Sequence, residues 1–208
     1  MHVERVRDRW SKRAANWFGQ IFNVKRPDYA DKDTVESLVG VDKKFRTDPG
    51  GDRWIYIPVP GVRYIEIQGD RSLLKTGDLL VLATDDNMTP VMTILQFAET
   101  QPLIAVRTNK IASITDGLVA DGKVYTNIRF DFVSIPNVGE GMNDKVIGVL
   151  GYAAKKVIIY TRKGVHPGQY FRFNELRKDG TNIERRYRID GVEDREPLLL
   201  LSISEETA

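Results

Sequence analysis

The sequence predicts a mainly β protein: one or more small antiparallel β-barrel or sandwich units, preceded by an N-terminal amphipathic α-helix. Three observations carry this. Short β-rich runs recur from Trp54 to Ile203. Turn residues separate them, as in Gly69-Asp70, Thr76-Gly77-Asp78, Thr108-Asn109, Asp121-Gly122, Lys178-Asp179-Gly180 and Asp190-Gly191. No long helical stretch stands between successive runs, so a parallel sheet with crossover helices is not expected.

The helix comes first. Val6, Trp10, Ala14, Trp17 and Ile21 are spaced 4, 4, 3 and 4 residues apart, which places them on one stripe. Arg5, Arg9, Lys12, Arg13, Asn16 and Gln20 fill the other side. Asn23 is the expected end and Pro27 prevents continuation. Residues 1–26 carry seven Lys/Arg against two Asp/Glu, a local charge of +5 on a chain whose total is +2. The sequence therefore divides into the basic helix (1–26), a polar connector (27–51), a first β region (52–136) and a second (137–208). The last two can equally form one continuous β domain.

The connector has one candidate helical turn, Asp33 to Val39, and closes on Asp48-Pro49-Gly50-Gly51, a strong turn signal. Beyond it the predicted strands are Trp54–Val59, Arg63–Gln68, Leu79–Ala83, Thr89–Phe97, Leu103–Thr108 and Lys110–Thr115. Lys123–Ile135, Lys145–Tyr152, Lys156–Thr161, Tyr170–Phe173, Glu184–Ile189 and Leu198–Ile203 follow. The break from Pro136 to Asn143 reads as an interdomain linker or a long exposed hairpin loop. No internal repeat is visible at a fixed period.

Composition excludes several kinds of chemistry. With no Cys there is no disulfide, thiolate zinc site, iron–sulfur cluster or Cys nucleophile. Two His, one of them His2, leave little for imidazole catalysis or metal binding. A net charge of +2 argues against bulk coating of nucleic acid. Apolar runs are too short for a signal peptide or a membrane span, so a soluble, cytoplasmically made chain is expected. The Gly-rich phosphate loop, the Gly-x-Ser-x-Gly elbow and His-Glu-x-x-His are all missing. His166 sits in a turn-rich segment and reads as a surface residue, and Asp85-Asp86-Asn87 reads as a hairpin turn rather than a Ca²⁺ site. The loop from Gly139 to Asp144 follows no phosphate-binding pattern. No enzyme activity, cofactor or metal is expected. A carboxylate-based hydrolase would need two acids roughly 5–10 Å apart across a cleft, and no aromatic and acidic cleft pattern supports one.

Two surfaces remain as binding candidates. Trp10, Ala14, Trp17, Phe18 and Ile21 form a candidate partner interface, because Trp is a preferred anchor at protein interfaces. Packing of this stripe on the protein's own core competes with that reading. A membrane-surface role is disfavoured by the small Ala14-Ala15-Asn16 centre. Arg5, Arg9, Arg13, Arg177, Lys178, Arg185 and Arg186 are the candidate nucleic-acid-facing residues. The last four lie among Tyr170, Phe171, Phe173 and Tyr187, and single-strand binders combine cations and aromatics in this way. In an ordinary hairpin the same aromatics would face a core, with Glu175, Asp179 and Glu184 diluting the charge.

The run Thr76-Gly-Asp-Leu-Leu-Val-Leu-Ala83, then Thr89-Pro-Val-Met-Thr-Ile94 and Gln101-Pro-Leu-Ile-Ala-Val-Arg-Thr-Asn109, resembles small structural proteins of tailed bacteriophages. Arg186-Tyr-Arg-Ile-Asp-Gly-Val192 followed by Leu198-Leu-Leu-Leu-Ser-Ile203 is similar to the closing hairpin of phage head-completion and head–tail connector proteins. The resemblance covers residues 76–116 and 184–204 and consists of strand and turn pattern. It implies a non-catalytic virion protein, assembled in the host cytoplasm as a homo-oligomeric ring in the neck. Its neighbours would be portal or adaptor proteins on one side and tail proteins on the other, with passing contact to genomic DNA. A tail or baseplate structural protein and a nucleic-acid-binding β-barrel around residues 170–188 are the alternatives.

Overall fold

The structure is a computed structural model and describes residues 2–48, 62, 64–83, 91–95, 103–117, 122–133, 155–176 and 180–205. Among the described residues a helix, α1 (His2–Phe18), precedes twelve strands. These are β1 (Gln20–Pro27), β2 (Glu36–Asp48), β3 (Tyr64–Gly69), β4 (Leu79–Leu82), β5 (Val91–Leu95) and β6 (Leu103–Arg107). Then come β7 (Lys110–Thr115), β8 (Lys123–Val133), β9 (Lys155–Tyr160), β10 (Tyr170–Leu176), β11 (Asn182–Arg195) and β12 (Leu198–Glu205). The first six close into an antiparallel barrel in the order β1-β2-β3-β6-β5-β4, and the last six close into another, β10-β11-β12-β9-β8-β7. Closure removes the sheet edges that would otherwise invite aggregation.

The chain divides into two units. The first is Met1–Asp28, Val35–Ile57 and Arg63–Asn109; the second is Tyr29–Thr34, Pro58–Val62 and Lys110–Ala208. The division thus falls at Asn109–Lys110, where the sequence suggested only a hairpin turn, and not at 136/137. The segment Pro136 to Asn143, the predicted strands Trp54–Val59 and Lys145–Tyr152, the Asp85-Asp86-Asn87 turn and the Gly139–Asp144 loop lie outside the described residues.

Two further expectations are corrected. The helix ends at Phe18, and Ile21 lies on β1. Gly19 leaves no room for a side chain, because a Cβ there would collide with the Ala15 carbonyl. Phe22 and Val24 then point into the barrel, and β1 pairs with β2 on one side and β4 on the other. The polar connector is largely β2, and Asp33–Val39 is not helical. Bulges at two places in β2 break its alternation, and Lys43 and Lys44 on successive faces are both exposed, so no period of two shows in the sequence.

The two barrels are one motif used twice. Their strand orders are identical, and their ladders match, apart from a bulge between Ile189 and Gly191 that the β5–β6 ladder lacks. Val24 pairs with Leu80 as Ile114 pairs with Phe171, and Phe45 pairs with Gly69 as Phe130 pairs with Ile159. The bulge between Phe22 and Val24 recurs between Ala112 and Ile114. It places Asp42 and Asn127 at equivalent positions, both left-handed, with φ of 50° and 54°. Asp and Asn tolerate that region better than other side chains.

The turn before the fourth strand repeats bond for bond. Asp78 accepts from the Lys75 amide at 2.8 Å, as Gln169 does from His166 at 3.0 Å. Gly77 donates to the Ile94 carbonyl at 2.9 Å, as Gly168 does to Ile189 at 2.8 Å. Both glycines have positive φ, 88° and 93°, which explains why Gly stands at each.

Nine of the ten residues in the first core have a core residue at the equivalent place in the second. Volumes are exchanged between positions: Phe22 is matched by Ala112, while Leu80 is matched by Phe171 and Ala105 by Ile203. Cores accept such swaps when total volume is kept. The exception is Ile65, matched by Lys155, whose ammonium donates to the Tyr187 hydroxyl at 2.7 Å.

One element sets the second unit apart. Between matched ladder pairs, the β1–β2 connection is five residues longer than β7–β8, and its segment Tyr29–Thr34 belongs to the second unit. There Tyr29 stacks on Tyr160 with ring centroids 4.2 Å apart. Buried Arg162 donates to the Tyr29 carbonyl at 2.7 Å, and the Thr126 amide donates to the Lys32 carbonyl at 2.9 Å.

Candidate assembly interface

The helix is held by its small residues. Ser11 and Ala15 are buried against the first barrel, one turn apart. The Ser11 hydroxyl accepts from the Gly69 amide at 2.8 Å and donates weakly to the Gly69 carbonyl at 3.4 Å. A side chain at Gly69 would overlap the Phe45 ring, so glycine there leaves room for the Phe45 side chain. Lys12 adds an ion pair to Asp70 at 3.1 Å. The Asp70 carboxyl is held below its ordinary value, first by the Ser72 amide and also by Lys12.

This docking turns the aromatic stripe outwards. Trp10, Trp17 and Phe18 are 63%, 73% and 70% exposed. Trp17 and Phe18 meet edge to face at 6.5 Å, and the Arg46 guanidinium lies 5.9 Å from the Phe18 ring. Ala14 is half-buried beside the docked stripe, and Ile21 is exposed on the outer face of β1. Leu38 and Val41 on β2 are exposed as well. All these residues belong to the first unit. The equivalents of Leu38 and Val41 in the second barrel are Lys123 and Thr126, so the apolar character of those two positions is particular to the first, whereas Ile21 is matched by exposed Ile111.

A groove of about 490 Å³ runs along α1, floored by Ala15, Phe45 and Leu73 and lined by Lys12, Lys43 and Lys44. The sequence reading missed these lysines and the Ser11–Ala15 contact. The spacing of Ser11, Ala15 and Gly19, four residues apart, was the available signal for the docked face.

The nucleic-acid candidates fare differently. Arg9 and Arg13 are exposed on the side of α1 opposite Ser11. Arg5 belongs to the same helix, and its side chain lies outside the described part, as do Arg177 and Lys178. Arg185 is paired with Glu175 at 2.8 Å and Glu205 at 3.0 Å, and Arg186 with Glu184 at 2.9 Å. The Arg185 bond holds the Glu175 carboxyl below its ordinary value and raises the guanidinium. Phe171, Phe173 and Tyr187 face the barrel core, with Phe173 and Tyr187 stacked at 5.6 Å. The hairpin therefore follows the ordinary pattern, with rings inside and paired arginines outside. Arg172 is buried and donates to the Gly117 carbonyl at 3.2 Å.

His166 is exposed, and its ring Nδ1 lies 3.0 Å from the Pro167 carbonyl. Among the described residues no group of three His, Asp or Glu side chains is arranged to hold a metal, and no helix is long and apolar enough to cross a membrane. No family model, curated protein or solved structure matches the chain.

Proposed function

We propose that this protein is a non-catalytic structural subunit that assembles with copies of itself, and that the assembly is a ring in the neck of a tailed-phage virion, joining head to tail. The observation that carries self-assembly is the helix: it is already docked by Ser11 and Ala15, yet presents Trp10, Trp17 and Phe18 to solvent. Burying an aromatic contributes far more than burying a small residue, so a helix oriented this way favours a further partner. The neck placement rests on the resemblance of residues 76–116 and 184–204, which include β4, β5, β6 and β7 and most of β11 and β12.

Sedimentation and light scattering test assembly. The wild-type chain should form a discrete oligomer at micromolar concentration. Trp10→Ala with Trp17→Ala should weaken it by at least roughly a hundredfold, at about 2 kcal/mol per anchor, with the melting temperature little changed. A chain that stays monomeric, or a double variant that assembles normally, refutes the reading. Flanking genes for portal and tail proteins would support the neck placement, and flanking genes of unrelated function would count against it.

A further inference from the structure

We infer that the acidic tip of the β11–β12 hairpin of one copy seats in the lysine-lined groove beside α1 of the next, a head-to-tail contact between copies of this chain. The inference rests on the self-assembly proposed above and names the second surface involved. The groove combines an apolar floor with Lys12, Lys43 and Lys44. Lys12 is engaged by Asp70, whereas Lys43 and Lys44 are exposed and have no ion-pair partner among the described residues. Lys44, opposite exposed Ile21, lies on the outer face of β2, while Lys43, opposite Phe22, lies on the other face and is exposed all the same. Asp42 and Asp70 also line the groove, so three lysines face two aspartates and one positive charge is left in surplus.

The hairpin is its complement. From Asp190 to Pro197, Asp190, Glu193, Asp194 and Glu196 are all exposed, against one cation, Arg195, which pairs with Glu193 at 2.9 Å and leaves the other three carboxylates without an ion pair among the described residues. The ladder runs to the pair Arg195–Leu198, leaving a two-residue tip. A tip held this firmly loses little freedom on docking. Half-buried Pro197 supplies apolar surface for the groove floor. Elsewhere in the second unit the carboxylates Glu175, Glu184 and Glu205 are already occupied by Arg185 and Arg186. The negative surplus is thus concentrated at the hairpin tip. Groove and hairpin are different surfaces, so every copy offers one of each, and such contacts propagate until they close a ring.

Charge exchange tests the contact in the full chain. Lys43→Glu with Lys44→Glu, and separately Glu193→Lys with Glu196→Lys, should each raise the concentration for half-assembly by roughly tenfold or more. Carrying all four substitutions should restore assembly to within roughly threefold of wild type, since opposite charges again face one another. The neutral pair Lys43→Gln with Lys44→Gln should weaken assembly without lowering the melting temperature, which separates docking from folding. If the fourfold variant assembles no better than either pair, the contact is wrong while self-assembly stands. Lysine variants that lose DNA binding but assemble normally would assign the groove to nucleic acid and overturn the inference. A monomeric wild type overturns both proposals.

Discussion

Asp78→Ala is the sharpest test of how the first barrel is held. Asp78 is 1% exposed and closes the turn before β4. Its carboxylate accepts from Arg26 Nε at 2.7 Å, from Arg26 Nη2 at 2.7 Å and from the Lys75 amide at 2.8 Å. Alanine removes three bonds, each with a net value of about 1 kcal/mol. The Arg26 side chain is 34% exposed, so its charge returns to water and the larger penalty of a stranded buried ion does not apply. The expected loss is therefore about 3 kcal/mol. With a urea dependence of about 1.5 kcal/mol per molar, the unfolding midpoint should fall by about 2 M.

Tryptophan fluorescence is a suitable assay because Trp10, Trp17 and Trp54 all belong to the first unit. The second barrel supplies a control. Its residues at the places of Arg26 and Asp78 are Asp116 and Gln169, joined by a bond of 2.8 Å from Gln169 Nε2. Asp78→Gln alone should destabilise, and Arg26→Asp with Asp78→Gln should recover at least about half of that loss, since it recreates a bonded pair. A midpoint shift below about 0.5 M for Asp78→Ala, or a double variant no better than Asp78→Gln, would refute the reasoning.

Removing the helix's polar anchor should loosen α1 selectively. Ser11→Ala deletes the bond from the Gly69 amide and should cost about 1 kcal/mol, read as faster hydrogen exchange across α1 and at Gly69, with the other β amides unchanged. Uniform exchange throughout the first unit would contradict this. Acidification should act on the same contact through Asp70. Its folded value lies below the ordinary 3.8, so its contribution is complete above that value and is lost as pH falls through the lower folded one. A carboxyl titration of Asp70 centred at or above 3.8 would show that the Ser72 and Lys12 contacts do not hold it.

The strands from β3 onward were legible because short apolar runs were bounded by turn residues, and Lys110–Thr115 agrees with β7 end for end. β1 was not, because Ile21 continued a helical spacing, and Gly19 was the only local sign of a break. The duplication was hidden for a related reason. Equivalent residues stand 85 apart at Phe45 and Phe130 but 98 apart at Leu103 and Leu201, because the connections differ in length. No fixed period survives that drift. At the candidate interface Trp10, Trp17 and Phe18 were identified from the sequence, while Lys43 and Lys44 were not, since nothing local sets two lysines on a strand apart from solvent-facing polarity.

What the sequence determined by itself was local: a chain without thiols, a mainly β architecture, and a basic helix with an aromatic stripe. Which face of that helix would be buried was decided only by the tertiary structure. Closure of the barrel brings the Gly69 amide, far along the chain, to the Ser11 hydroxyl, and that bond turns the Ser11 face of the helix inwards. Apolarity alone favoured burial of the tryptophans, but the depth of the available contact selected Ser11 and Ala15 and left Trp10 and Trp17 facing outwards.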